Sequence, residues 1–161
     1  MRPVYKKIMP NTYSQIYIQI VFAVKNRENL IQPAFKEELQ KYITGIITNR
    51  NQKLFAINCM PDHTHIFVSI TPSISISDLV RDIKSVSSGF INENKWISGK
   101  FRWQEGFGAF SYSPKHVDFV VKYILEQEEH HKKNTFKEEY LHFLRKANIE
   151  YKDEYLFEFY A

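Results

Sequence analysis

One cysteine, Cys59, stands alone in the chain, which excludes an intrachain disulfide and any multi-cysteine zinc site. That usage fits a reducing cytosol. Glycine is scarce too, at five residues in 161, and no Gly/Ser linker, internal repeat or low-complexity block divides the chain, so a single domain is expected. No apolar run approaches the roughly 20 residues of a membrane span, and no membrane partner is expected. The basic opening Met1–Asn11 lacks the apolar core of a secretion signal. Neither charge sign prevails: 22 Lys and Arg against 18 Asp and Glu leave +4, a weak lean toward a polyanionic partner.

Aromatics, by contrast, are plentiful, with 13 Phe and 10 Tyr, enough for a crowded core or a stacking surface. Period-two alternation over Ser14–Val24 reads as a strand with one face in the core. Pro33 opens a helix bearing Phe35, Leu39, Tyr42, Ile43, Ile46 and Ile47 at helical spacing. Leu54–Met60 and His63–Ile70 read as two further strands, separated by Pro61-Asp62. Ser77 is placed as the cap of a helix, Asn92–Gly108 as a long loop or an irregular strand, and Ala109–Tyr112 as a short fourth strand. Ser113-Pro114 then starts a helix expected to run to about His131, and the capping-box spacing of Thr135 to Glu138 starts another through about Lys146. The fold class is therefore α+β: a ferredoxin-like split β-α-β-β-α-β core with an antiparallel sheet, plus C-terminal helices. We divide the chain into an N-terminal arm (1–12), the folded domain (13–146) and an aromatic tail (147–161).

Two patterns carry chemistry. His63 and His65 lie two apart on a strand, so both imidazoles leave one face while Ile66, Val68 and Ile70 leave the other. Converging imidazoles suit a metal clamp, although two histidines on an exposed strand face with no task fit the same spacing. On the later helix, Val117, Val120, Val121, Ile124 and Leu125 form an apolar stripe, with Tyr123 and Gln127 stacked on its flank and His130 near the same line. That suits a reactive hydroxyl facing a cleft, and equally a half-exposed surface tyrosine.

Met60-Pro61-Asp62-His63-Thr64-His65-Ile66, the stretch Phe101 to Ser111, Tyr123-Ile124-Leu125-Glu126-Gln127-Glu128-Glu129-His130-His131 and Thr135 to Glu139 occur in that order. Together they resemble the motifs of the single-tyrosine HUH transposases, the small enzymes of single-stranded-DNA insertion sequences and of repeated extragenic palindromes. The resemblance spans about residues 13–145. Thr64 departs from the bulky hydrophobic of relatives, and Gln19 stands where relatives often carry histidine.

The resemblance implies a prokaryotic, cytoplasmic enzyme with Tyr123 as nucleophile, His63, His65 and Gln127 as ligands of Mg2+ or Mn2+, and a homodimer. It implies attack that leaves a covalent 5′-phosphotyrosine and a free 3′ hydroxyl on single-stranded or hairpin DNA, with a tyrosine helix able to complete the partner's metal site. One nucleophilic tyrosine per chain, against two strand ends, is the chemical argument for two subunits. Arg81 and Lys84 on the Ser77–Asn92 helix, Arg102 and Trp103 in the loop, and His130 and His131 after the tyrosine are the expected DNA contacts. Three other readings remain open at this level: a domesticated nuclease of chromosomal repeat hairpins, a non-catalytic ferredoxin-like nucleic-acid-binding module, and a hydrolase that activates water.

Overall fold

Strand β1 (Ile16–Ala23) is apolar on both faces, because Val21 and Ala23 alternate with Ile18, Ile20 and Phe22, so two helical layers are needed to bury it. The computed structural model describes residues 12–152; nearly all of the N-terminal arm and most of the aromatic tail, from residue 153 on, lie outside the described residues. β1 is followed by α1 (Pro33–Asn49), β2 (Lys53–Cys59), β3 (His63–Ile70), α2 (Ile76–Glu93), β4 (Gly108–Tyr112), α3 (Val117–Leu125), α4 (Gln127–His131) and α5 (Phe136–Lys146). The sheet runs β2-β3-β1-β4 with every neighbouring pair antiparallel, the order of two interleaved β-α-β units and of the ferredoxin-like fold expected. No helix among the described residues is long and apolar enough to cross a membrane.

One face of the sheet packs on α1 and α2. Ile18, Ile20, Phe22, Ile66 and Val68 meet Leu39, Ile43, Ile47, Leu79 and Ile83 there, all buried. The other face is covered by the C-terminal helices: Ala56 and Phe67 under Val120 and Ile124 of α3, and Val21, Ala23 and Phe110 under Phe136, Tyr140 and Leu144 of α5. The His63/His65 face is thus inside a second layer, rather than outside the core as the strand pattern alone suggests.

Several boundaries differ from the sequence reading for local reasons. Ser75, not Ser77, caps α2, its Oγ accepting from the Asp78 amide at 3.0 Å. Ser113 caps nothing; its hydroxyl pairs with His116 Nδ1 at 2.8 Å beside a 3-10 turn at Pro114–His116. The single helix expected through His131 breaks at Glu126 (φ −98°, ψ 21°) into α3 and α4. Asn58 of β2 donates to the Ile124 carbonyl near that break at 2.9 Å, fastening α3 to the sheet. Leu125, placed on the buried stripe by periodicity, is 61% exposed, whereas Gln127 beyond the break is fully buried.

Edge strand β4 meets α5 at Gly108, where an added Cβ would lie 2.7 Å from the Tyr140 hydroxyl and 2.9 Å from its ring. Tyr140 is packed against Phe110 and Phe136 and has little room to retreat. Gly108→Ala is expected to destabilise the fold by about 1–3 kcal/mol through overpacking. Adding Tyr140→Phe, which removes the nearest atom, should recover part of that loss. Urea unfolding of the single and double variants checks both expectations.

Candidate active site

Three elements converge on the His pair. His63 and His65 project from β3 and are 1% and 0% exposed. Their rings lie 5.2 Å apart, centroid to centroid. Tyr123 and Gln127 come from α3 and α4, and Glu139 comes from the first turn of α5, whose start is fixed by Thr135 accepting from the Glu138 amide at 3.2 Å. Sequence reasoning quoted Glu139 only as part of a helix-opening motif. The structure puts it at the centre.

Glu139 is 7% exposed and surrounded by donors. Its Oε1 lies 3.0 Å from His65 Nε2, 3.6 Å from His131 Nε2 and 4.0 Å from His63 Nε2. Its Oε2 accepts from the Tyr123 hydroxyl, and from Gln127 Nε2 at 3.2 Å. Burial alone would raise its pKa, but His65, His131 and the tyrosine outweigh that and hold the carboxyl well below the usual range. Burial and the adjacent carboxylate push the Tyr123 phenol well above 10.

The histidines are oriented from behind. His63 Nδ1 donates to Asp62 Oδ1 at 2.7 Å, and Arg27 grips the other carboxylate oxygen, its Nε at 3.0 Å. Burial works against ionised Asp62, yet His63 and Arg27 bring its pKa down to about 2. His63 Nε2 is buried with no hydrogen-bond partner, aimed into the cluster. His65 Nδ1 faces Gln19 Nε2 at 3.1 Å, and Tyr112 donates to Gln19 Oε1 at 2.9 Å. Gln19, a departure from the family pattern, thus serves as the amide that orients His65.

A ring nitrogen backed by a carboxylate or amide, with its other nitrogen presented to a common centre, is the usual arrangement of a metal-binding histidine. His63, His65, His131 and Glu139 each offer a ligand atom within 4.8 Å of all the others. The orphaned His63 Nε2 fits a divalent cation better than any hydrogen bond present. Gln127, expected as a ligand, lies in the same cluster, donating to Glu139 at 3.2 Å and accepting from His131 Nε2 at 3.0 Å.

The expected DNA contacts divide. Arg81 and Arg102 are exposed, bordering a groove between α2 and the loop over residues 100–107 that also presents Ser85, Ser88 and Lys100. Lys84 lines the same groove but is tied to the loop backbone, donating to the Gln104 and Gly106 carbonyls at 2.8 and 2.6 Å. Burial lowers its pKa to about 8. Trp103, expected as a stacking platform, is a core residue: it is 8% exposed, donates to Ser87 Oγ at 2.9 Å and meets Phe22 and Phe101 edge-on. His130 stacks on the Tyr123 ring at 4.4 Å, and His131 turns to Glu139, so neither faces outward for a phosphate.

Burial drives the His63 pKa down to about 4, against the pull of Asp62. The unfolded chain takes up a proton near pH 6.5 that the folded chain refuses until about pH 4, so stability is full above that window and falls with pH through it. The loss expected for the metal-free protein between pH 6.5 and 4 is roughly 3 kcal/mol. Chemical unfolding in EDTA across this range measures it, and His63→Gln should flatten the slope.

Comparison with known proteins bears on the family and the fold. The family model "Transposase IS200 like" matches residues 12–127, a span that contains the His pair, Tyr123 and Gln127. The ISDra2 transposase TnpA of Deinococcus radiodurans is 23% identical over 120 residues, covering 70% of this chain and 84% of that protein. A crystal structure of a D. radiodurans R1 transposase superposes with a TM-score of 0.61 at 21% identity, over 75% of this chain and 97% of that one. A REP-associated tyrosine transposase bound to a REP hairpin gives 0.58 at 17%, over 78% and 74%. At such identities the solved structures attest the fold, and it is the family match across most of the chain that makes this protein a member of the IS200-like transposases.

Proposed function

We propose that this transposase cuts and rejoins single-stranded DNA by attack of Tyr123 on a backbone phosphate, as a homodimer acting on hairpin-bearing substrates. The observation that carries the reading is the Tyr123 hydroxyl held on Glu139 within the same buried cluster as His63 and His65. A surface tyrosine would have no reason to share a desolvated carboxylate with two converging imidazoles.

In the proposed reaction the phenol oxygen forms a bond to phosphorus, and the bond from phosphorus to the 3′ oxygen breaks. The products are a 5′-phosphotyrosine and a 3′ hydroxyl, so the ester energy is kept for rejoining. Glu139 orients the phenol, while His130 stacked on its ring limits where it can swing. A divalent ion held there, Mg2+ or Mn2+, would supply positive charge to polarise the phosphate and favour the phenolate. His63 and His65 would hold it, backed by Asp62 and Gln19. Neutral imidazoles leave most of the ion's charge available to the phosphate.

Two subunits follow from the chemistry, since each chain carries one such tyrosine and strand exchange joins two ends. Tyr123 and Gln127 sit beside the His pair of their own chain in the structure described. For DNA, the groove bordered by Arg81 and Arg102 is the proposed backbone track, with phosphate contacts fixing register rather than sequence.

Labelled hairpin DNA incubated with the protein and Mn2+ should give a covalent adduct that Tyr123→Phe abolishes. Equal adduct from both proteins would sink the assignment, and cleavage surviving without adduct would point to water as the nucleophile. His63→Ala or EDTA should remove cleavage while leaving most DNA binding. Arg81→Ala and Arg102→Ala should each weaken hairpin binding and lower the salt slope by about 1, read by anisotropy across a salt series.

A further inference from the structure

The family match ends at residue 127, and the two remaining groups of the cluster, His131 and Glu139, lie beyond it. We propose that Glu139, with His131 beside it, ligates the same divalent ion as His63 and His65, so that the ion ties helices α4 and α5 to strand β3. The inference rests on the reading of the His pair as a metal site.

Distance carries the argument. Two ligand atoms, each about 2.1 Å from one ion, are separated by about 3.0–3.5 Å when they occupy adjacent positions. Glu139 Oε1 lies 3.0 Å from His65 Nε2 and 3.6 Å from His131 Nε2, which are edges of such a polyhedron. His63 Nε2, at 4.0 Å, is the unpartnered atom that completes it. Glu139 also meets His65 at the nitrogen facing the cluster, not at the nitrogen used by Gln19. A group that only orients a ligand sits behind the ring, as Asp62 does for His63; Glu139 sits in front.

The carboxylate divides its work by atom. Oε1 points at the imidazoles and Oε2 holds Tyr123, so one side chain links the ion's site to the nucleophile. Gln127 supports this arrangement by donating to Glu139, and His131 ligates once its Nε2 gives up the proton it shares with Gln127 Oε1. His65 can ligate through Nε2 if Gln19 turns its amide to accept from Nδ1, and the Tyr112 hydroxyl can change from donor to acceptor to allow it. Three nitrogens and one carboxylate oxygen suit Mn2+ better than Mg2+ by ligand softness.

The test is Mn2+ binding to the full chain by calorimetry, with thermal melts to confirm folding and the visible spectrum of the Co2+ form as a report on the ligand set. Glu139→Gln, which keeps the shape but removes the charge and one of the two acceptor oxygens, should weaken Mn2+ at least a hundredfold and alter or abolish the Co2+ bands. In wild type, Mn2+ should slow hydrogen exchange over residues 136–146, and in Glu139→Gln it should not. Unchanged Co2+ bands in Glu139→Gln, with binding lost only in His63→Ala, would overturn the role of Glu139 and keep the His-pair site. Metal binding that survives in both variants would remove the metal reading itself.

Discussion

A carboxylate taken out of water must find positive or hydrogen-bonding partners, and Glu139 organises this protein's C-terminal half around that need. Its partners come from β3, α3 and α4, so satisfying one charge brings four elements together. The apolar contacts of Phe136, Tyr140 and Leu144 press α5 onto the sheet, but they have no directional preference of their own. Glu139 sets the docking position, because a shift of one turn would strand the charge in an apolar layer.

The site is built in layers outward from that centre. Arg27, Asp62 and His63 form one line of support, and Tyr112, Gln19 and His65 form another, each starting from a different strand or loop. Both lines fix which ring nitrogen faces inward. Through this support, residues on β1 and in the turn before β3 orient the cluster that lies beneath α5. Cys59, by contrast, is buried with its thiol pushed up to about 12, and it has no part in this.

DNA would meet a different face. The groove of Arg81 and Arg102 lies beside α2 and the loop after it, on the side of the sheet opposite the cluster helices. Lys84 looks like a phosphate contact in sequence, yet its ammonium is bonded to two loop carbonyls and holds that groove's wall in shape. Trp103 braces the same wall from within through Ser87. Residue type was a good guide to where the groove is, but a poor guide to which side chains face into it.

The period-two runs in β1 and β3 determined the strands and put His63 and His65 on one face, and helical spacing placed Tyr123 above Gln127, since these relations are local and follow from backbone geometry. The motif order determined the family. What covers the histidines was not local: nothing in the spacing of His63 and His65 encodes that Glu139, 74 positions beyond His65, would reach it. Periodicity also carried the tyrosine helix straight through Glu126, where the fold breaks it, exposes Leu125 and buries Gln127. The break and the central carboxylate are consequences of packing a second helical layer onto the sheet, where burying one charge and one apolar stripe together decides the geometry. Sequence thus picked out Tyr123 and two imidazoles, and only the tertiary structure supplied the group that joins them.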